Sequence, residues 1–320
     1  MGDVTLEAVR LTKRFGTRTA VHELNLVARQ GEIVGLLGPN GAGKTTAIRL
    51  LSTVLPPSGG QFTVAGVPHS RPIELRRRIG VLPESGGYPP HLTGIEYLRF
   101  HARLFGLDRT AAARTTERLL GDVGLAERGT SRISTYSRGM RQRLGIARAL
   151  VNEPVVIFLD EPTLGLDPAG QRDVQELVRT IARERRTTVV LSTHILPDVE
   201  ELCTTVLILD GGTVRLTGTV SEVMGAAGVR QSGRLRVPID LVDRARSALA
   251  GISGISLGDG GQPDGVITIS VTGQAHSRVD EGMNLALYLV LNASVPILRF
   301  EVDGARLNTA FLALTGEAGR

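Results

Sequence analysis

The residues with the clearest chemical purpose are Gly38-Pro39-Asn40-Gly41-Ala42-Gly43-Lys44-Thr45-Thr46. They follow an apolar run, Ile33-Val34-Gly35-Leu36-Leu37, and lead into a helical pattern from Ala47 to Leu55. The order is strand, glycine-rich loop, helix, and the spacing G-x-x-x-x-G-K-T suits a cradle for a triphosphate. Glycines let successive backbone N–H groups turn inward on an anion, with no Cβ in the way. The helix beginning near Lys44 adds its positive end. The Lys44 ammonium can reach the β- and γ-phosphates, and the Thr45 hydroxyl can ligate Mg²⁺. A plain strand-to-helix turn needs none of these residue types.

A second cluster supports the first. Val155-Val156-Ile157-Phe158-Leu159 reads as a buried parallel strand, closed by Asp160 and Glu161. Carboxylates at such a strand end sit where open α/β sheets bind ligands. Asp160 is placed to hold Mg²⁺ and Glu161 to accept a proton from an attacking water. A strand from Thr187 to Ser192 ends at Thr193-His194, which brings His194 beside them. Glu84 ends another strand, from Ile79. Ser137 is a helix N-cap by type, and with Gly139 it offers either a cap alone or a second anion site.

The elements that must position these groups fit an α/β sheet. Val4–Val9 and Leu24–Val27 read as strands, with a turn at Lys13-Arg14-Phe15-Gly16. Phe15 can stack on a base or pack a β layer. Thr93 to about Gly129 turns helical, an insertion between strands. A hairpin from Val206 to Leu216 closes the domain. The chain has 320 residues, enough for two domains, and 42% are hydrophobic, enough for a full core. The net charge of +5 is carried by arginine, with Lys13 and Lys44 the only lysines. Acidic and basic residues alternate, which points to a compositional habit rather than a nucleic-acid or lipid surface. With no tryptophan and few aromatics there is little to stack on nucleic acid. Cys203 is the only cysteine, which suits a reducing compartment and excludes a disulfide within the chain. The apolar run Leu285–Leu291 is far short of the roughly 20 residues of a membrane helix, so a soluble chain is expected, with any span supplied by another subunit.

These motifs, in this order from Val4 to Met224, resemble the ATP-binding subunit of an ABC transporter. The resemblance implies an α/β fold: a P-loop NTPase domain with a helical insertion and an antiparallel β layer. It implies ATP and Mg²⁺ as ligands and ATP hydrolysis as the activity. It makes Phe15 the adenine-stacking aromatic, Gly38 to Thr46 the nucleotide loop, and Thr45, Asp160 and Glu84 the Mg²⁺ side chains. Lys44, Glu161 and His194 become catalytic. Ser137 and Gly139 become the signature that meets a partner's ATP, and Leu164–Asp167 the loop that crosses the dimer interface. Two departures stand out. Glu84 replaces the usual glutamine, and Tyr136-Ser137-Arg138-Gly139-Met140 replaces L-S-G-G-Q. Both look like the branch that serves ABC-2 type exporters, including drug and antibiotic resistance systems. The implied partners are a separate membrane permease and a second ATPase subunit, either a copy of this chain or a different one. No nucleic acid is implied, and the expected location is the cytoplasmic face of the cell membrane.

The expected domains are 1–224, with a helical subdomain at about 86–152, a glycine-rich linker at 225–233, and an accessory domain at 234–320. The tail reads as β-α-β-β-α-β, a small α+β domain of ferredoxin-like order, with a last helix at Arg306–Leu314. Its ending is similar to the extension of drug-exporter ATPases. Dimer support, permease docking and ligand sensing are its candidate roles. An importer ATPase with a ligand-sensing tail is the alternative. A DNA-repair or ribosome-associated ABC ATPase is disfavoured by the single phosphate loop and the lack of heptads.

Overall fold

The structure, a computed structural model, describes residues 2–226, 231–250, 255–258, 265–271 and 276–303. It opens on two long strands, β1 (Val4–Phe15) and β2 (Arg18–Arg29), paired antiparallel across Gly16-Thr17. Both run further than the alternation of the sequence suggests, and Lys13 to Phe15 lie in strand rather than in a turn. The cause is a pair of irregularities: Arg10 and Glu23 adopt φ of +48° and +46°, and the pairing register shifts between Ala8 and Leu11. A bulge inverts the inward and outward faces, so a continuous strand looks broken.

Next come β3 (Ile33–Leu37), the glycine-rich loop and α1 (Lys44–Leu51). Strands β4 (Gly59–Val64) and β5 (Val67–Pro68) extend the antiparallel layer beside β1. A short helix, α2 (Pro72–Arg76), leads to β6 (Ile79–Leu82). The helical insertion holds α3 (Gly94–Leu104) and α4 (Arg109–Asp122), and is followed by α5 (Arg138–Ala149). Then follow β7 (Val156–Asp160), α6 (Pro168–Glu184), β8 (Thr188–Thr193), α7 (Leu196–Leu202), β9 (Thr205–Asp210) and β10 (Thr213–Thr219).

Among the described residues these strands form one sheet, ordered β5-β4-β1-β2-β10-β9-β3-β8-β7-β6. The β3, β7 and β8 runs are buried at every position, as parallel strands covered on both faces must be. Helix α6 buries Val174, Leu177, Val178, Ile181 and Ala182, the spacing of one apolar stripe. The glycine-rich loop and Asp160 thus leave the C-terminal ends of β3 and β7, with β8 between them.

The insertion is fixed by its caps. The Thr93 hydroxyl accepts the Glu96 N–H at 3.2 Å, and Glu96 accepts the Thr93 N–H at 2.8 Å. Asp108 accepts the Ala111 N–H at 2.8 Å. Backbone N–H groups of Ala111 and Thr110 hold the Asp108 carboxyl below its usual range. A pKa lower in the folded state means that the ionised cap stabilises the fold above the unfolded carboxylate range. That stabilisation is lost as the pH falls through the folded pKa. Asp108→Asn keeps the cap without the charge. It should narrow the difference in melting temperature between pH 7 and about pH 3.

The chain divides into two compact units at Thr217/Gly218. The second contains α8 (Val220–Ala226), β11 (Gln231–Arg236), α9 (Val242–Leu249), β12 (Ile255–Leu257), β13 (Val266–Val271), α10 (His276–Asn292) and β14 (Arg299–Asp303). Its strands are ordered β12-β13-β11-β14, all antiparallel, over a core that includes Leu235, Ile267, Ile269, Ala286 and Val290. Of the stretch 225–233 read as a linker, Gly225 and Ala226 belong to α8, and Gln231 to Gly233 pair with Val271 to Ile269. Ladder hydrogen bonds outweigh the weak strand propensity of Gln-Ser-Gly. The helix expected at Arg306–Leu314 lies outside the described residues.

Candidate functional site

The loop after β3 has glycine where nothing else fits. A Cβ on Gly38 would stand 2.4 Å from the Leu209 carbonyl oxygen, so the backbone runs directly against β9. Gly43 has φ of +104°, and a Cβ there would stand 2.4 Å from the Ala20 carbonyl oxygen. Gly43 is also the N-cap of α1 and provides no side-chain cap, which leaves the first N–H groups of the helix open to an anion.

Lys44 is buried, and its Nζ donates to the carbonyls of Gly38 at 2.7 Å and Pro39 at 3.1 Å. It also lies 3.7 Å from Glu161 Oε1. Burial lowers the pKa of the ammonium, and the carboxylates of Glu161, Asp160 and Glu84 act against that shift.

Asp160 ends β7 and Glu161 follows it, both buried. Asp160 Oδ1 accepts the Thr45 hydroxyl at 3.1 Å and the Ser192 hydroxyl at 2.5 Å. Glu161 has φ of +50°, a strained value for a side-chain-bearing residue. Its N–H reaches both the carbonyl and the hydroxyl of Ser192, each at 3.1 Å. Its carboxylate meets His194 Nδ1 at 2.9 and 3.0 Å. Lys44, Glu161 and His194, from three separate elements, therefore meet at one point.

These groups open into a cleft of about 600 Å³. One wall is Asn40, Gly41, Gly43, Lys44, Thr45 and Thr46. Glu84, Glu161, Leu164 and His194 form another, and Phe15, Arg18 and Ala20 the far end. Gly38, Pro39, Ala42 and Asp160 stand behind this surface and shape it. Phe15 is 48% exposed, with Lys13 Nζ 5.2 Å from its ring centre. Ser137 and Gly139 do not line the cleft. The Ser137 hydroxyl accepts the Met140 N–H at 3.2 Å and caps α5.

The donor set can be tested against Mg²⁺. Thr45 and Asp160 bring two oxygen ligands together, with Ser192 fixing the carboxylate. No group of three or more His, Cys, Asp or Glu suited to a metal occurs among the described residues. The Thr45 and Asp160 oxygens suit a small hard cation that takes one or two protein ligands and completes its shell with phosphate and water.

Ser192, Arg18, Thr163 and Asp198 carry weight that sequence reasoning passed over. Buried Asp198 accepts the Thr163 hydroxyl, and Gln175 Nε2 at 2.8 Å, which ties α7 to the loop after Glu161. For Ser192 the signal was a serine and a threonine ending an otherwise apolar strand. Ser192→Ala should cost about 1–3 kcal/mol, since it removes a donor from buried Asp160. Turnover should fall as well, with the loss read by urea unfolding and phosphate release in parallel.

Residues 21–164 match the family described as ABC transporter. An uncharacterised ABC transporter ATP-binding protein of Bacillus subtilis is 37% identical over 67% of this chain and 69% of its own length. A daunorubicin resistance ATP-binding protein of Streptomyces coeruleorubidus, DrrA2, is 34% identical over 99% of this chain and 96% of its own length. Among solved structures, one titled as the ATP-binding subunit of an ABC transporter superposes with a TM-score of 0.62 at 31% identity, over 70% of this chain and 93% of that one. The expected ABC ATPase fold is the one observed. The second relative aligns through the tail as well as the nucleotide cleft, so the likeness is not confined to one motif. The chain belongs to the ATP-binding proteins of ABC transporters and is an ATPase of that family.

Proposed function

We propose that this chain powers an ABC-2 type exporter of drugs, antibiotics or similar amphipathic compounds, through a separate permease at the cytoplasmic face of the membrane. The observation that carries this reading is the one-sidedness of the cleft. Lys44, Thr45, Glu161 and His194 line it, whereas Ser137 and Gly139 lie elsewhere. Two copies of the chain, each offering Ser137 and Gly139 to the other's ATP, complete both sites, and the permease rides on that closure. The near full-length match to a protein named for daunorubicin resistance favours export over import. No helix among the described residues is long and apolar enough to cross a membrane, which accords with a permease on another chain.

In this reading Phe15 stacks on the base and the Gly38–Thr46 loop wraps the phosphates. Lys44 neutralises their charge. Thr45 and Asp160, with Glu84 as a further ligand, would hold Mg²⁺, which when bound would withdraw charge from the phosphate oxygens. Glu161 takes a proton from the water that attacks the γ-phosphorus in line, while the bond to the β-phosphate oxygen breaks. His194 holds Glu161 and the γ-phosphate in register. We assign the unit that ends at Thr217 to the ATPase domain and the unit that holds 234–320 to a ferredoxin-like accessory domain that supports the dimer.

Cells that lack this chain should retain more of a fluorescent anthracycline than cells carrying it. Glu161→Gln should fail to restore efflux. Equal retention of anthracyclines, peptide antibiotics and amphipathic dyes with and without the chain would sink the export reading.

A further inference from the structure

Arg138 has no task in the reading above. It opens α5, at the positive end of the helix dipole, where a cation is unfavourable. The side chain is exposed, and among the described residues no hydrogen bond or ion pair engages its guanidinium. Instead the group lies on Gly165. A Cβ built on Gly165 would stand 2.6 Å from the guanidinium carbon and 2.7 and 2.8 Å from its two terminal nitrogens. Three nearly equal distances place the flat face of the guanidinium over the glycine. Gly165 itself has φ of +69°. Beside it, Leu166 reaches to 4.0 Å from where a Cβ on Gly139 would be.

The guanidinium on Gly165, with Leu166 facing Gly139, thus joins the start of α5 to the loop 163–167. That loop springs directly from Glu161. The Leu164 N–H donates to the Glu161 carbonyl at 3.3 Å, and the Leu166 N–H to the Thr163 carbonyl at 3.2 Å. Its other end is pinned where Asp167 accepts the Gly170 N–H at 3.2 Å.

We propose that Arg138 is a positioning residue for ATP hydrolysis: its guanidinium, stacked on Gly165, clamps the loop 163–167 to the start of α5 and holds Glu161 in its working place. This rests on the reading of Glu161 as the base. The plane of the guanidinium matters more than its charge, because a lysine ammonium has no face to stack. Glycine at 165 suits both the positive φ and the contact, since a Cβ there displaces the guanidinium.

The test uses the purified full chain with Arg138→Ala, Arg138→Lys, Gly165→Asn and the Arg138→Ala/Gly165→Asn double variant. For Arg138→Ala, kcat for Mg-ATP should fall about tenfold or more, as small misplacement of a reacting group does. KM should stay within about twofold, because binding is untouched. The unfolding midpoint should not fall, since the residue is exposed and its charge opposes the helix dipole. Arg138→Lys should not rescue kcat. Asparagine tolerates the left-handed backbone, so Gly165→Asn should lose a similar factor through the displaced guanidinium. The double variant should be no worse than the poorer single.

Wild-type kcat in Arg138→Ala, full rescue by lysine, or multiplicative losses in the double variant would each overturn the clamp. If Gly165→Asn does not fold, the two Arg138 variants still decide. Glu161→Gln run alongside separates the failures. If it turns over normally, the base reading is wrong whatever Arg138 does. If it is dead while Arg138→Ala is normal, only the clamp is wrong.

Discussion

Glu161→Gln should bind ATP and stop turning it over. The amide keeps the size of the side chain and a hydrogen bond to His194 but cannot take a proton. The hydrolysis rate should therefore drop by about 10²–10⁴, the usual contribution of a positioned base. With ATP no longer consumed, the closed state accumulates, and light scattering in Mg-ATP should report twice the mass of the nucleotide-free chain. The geometry makes this a sharp test. Glu161 is buried, fixed through its N–H by Ser192 and through its carboxylate by His194. A variant that binds ATP but stays monomeric would rule out a site completed by a second copy. It would direct the search to a different ATPase subunit.

Lys44→Ala should lose the nucleotide itself. The ammonium already sits among the Gly38 and Pro39 carbonyls, so a γ-phosphate needs only to draw it outward. A charge-assisted hydrogen bond contributes about 1.5–3 kcal/mol, so affinity for a fluorescent ATP analogue should fall about ten- to hundredfold. The nucleotide-free fold should change less, because the pair with Glu161 is long at 3.7 Å and His194 remains to meet that carboxylate. Unchanged affinity would mean that the triphosphate is held somewhere other than this loop.

Residue type carried most of the site. Lys44, Asp160 and Glu161 follow apolar runs too uniform to be anything but buried parallel strands, and a charge at the end of such a run has few places to go. The partners that orient them were harder to see. Ser192 is one hydroxyl at a strand end, and Asp198 resembles any acid in the first turn of a short helix. What makes them matter is Asp160 and Thr163, which sit far away in sequence. Arg138 on Gly165 is harder still, because it depends on a loop whose path local propensity does not specify. In the fold, the antiparallel layer was cut short at Arg10 and Glu23, where bulges hide the period of two. Helix α7 was missed for its brevity, with Pro197 near its start.

One seam in the sheet bears on which nucleotides the chain takes. The antiparallel layer, with Phe15 and Arg18, joins the parallel core, with the phosphate loop, through the pair Thr213–His22. The gap beside it is closed by Gly43 and Gly212 against the Ala20 carbonyl. The proposed base grip and the phosphate grip therefore stand on opposite sides of a narrow joint. Phe15 would recognise a base by stacking, which measures area and ignores the donors and acceptors along its edge. Discrimination between purine triphosphates falls to whatever the far end of the cleft adds, and the energy of binding resides in the phosphates. A chain built this way is tuned to whether its cell is charged with triphosphate, and only weakly to which purine carries it.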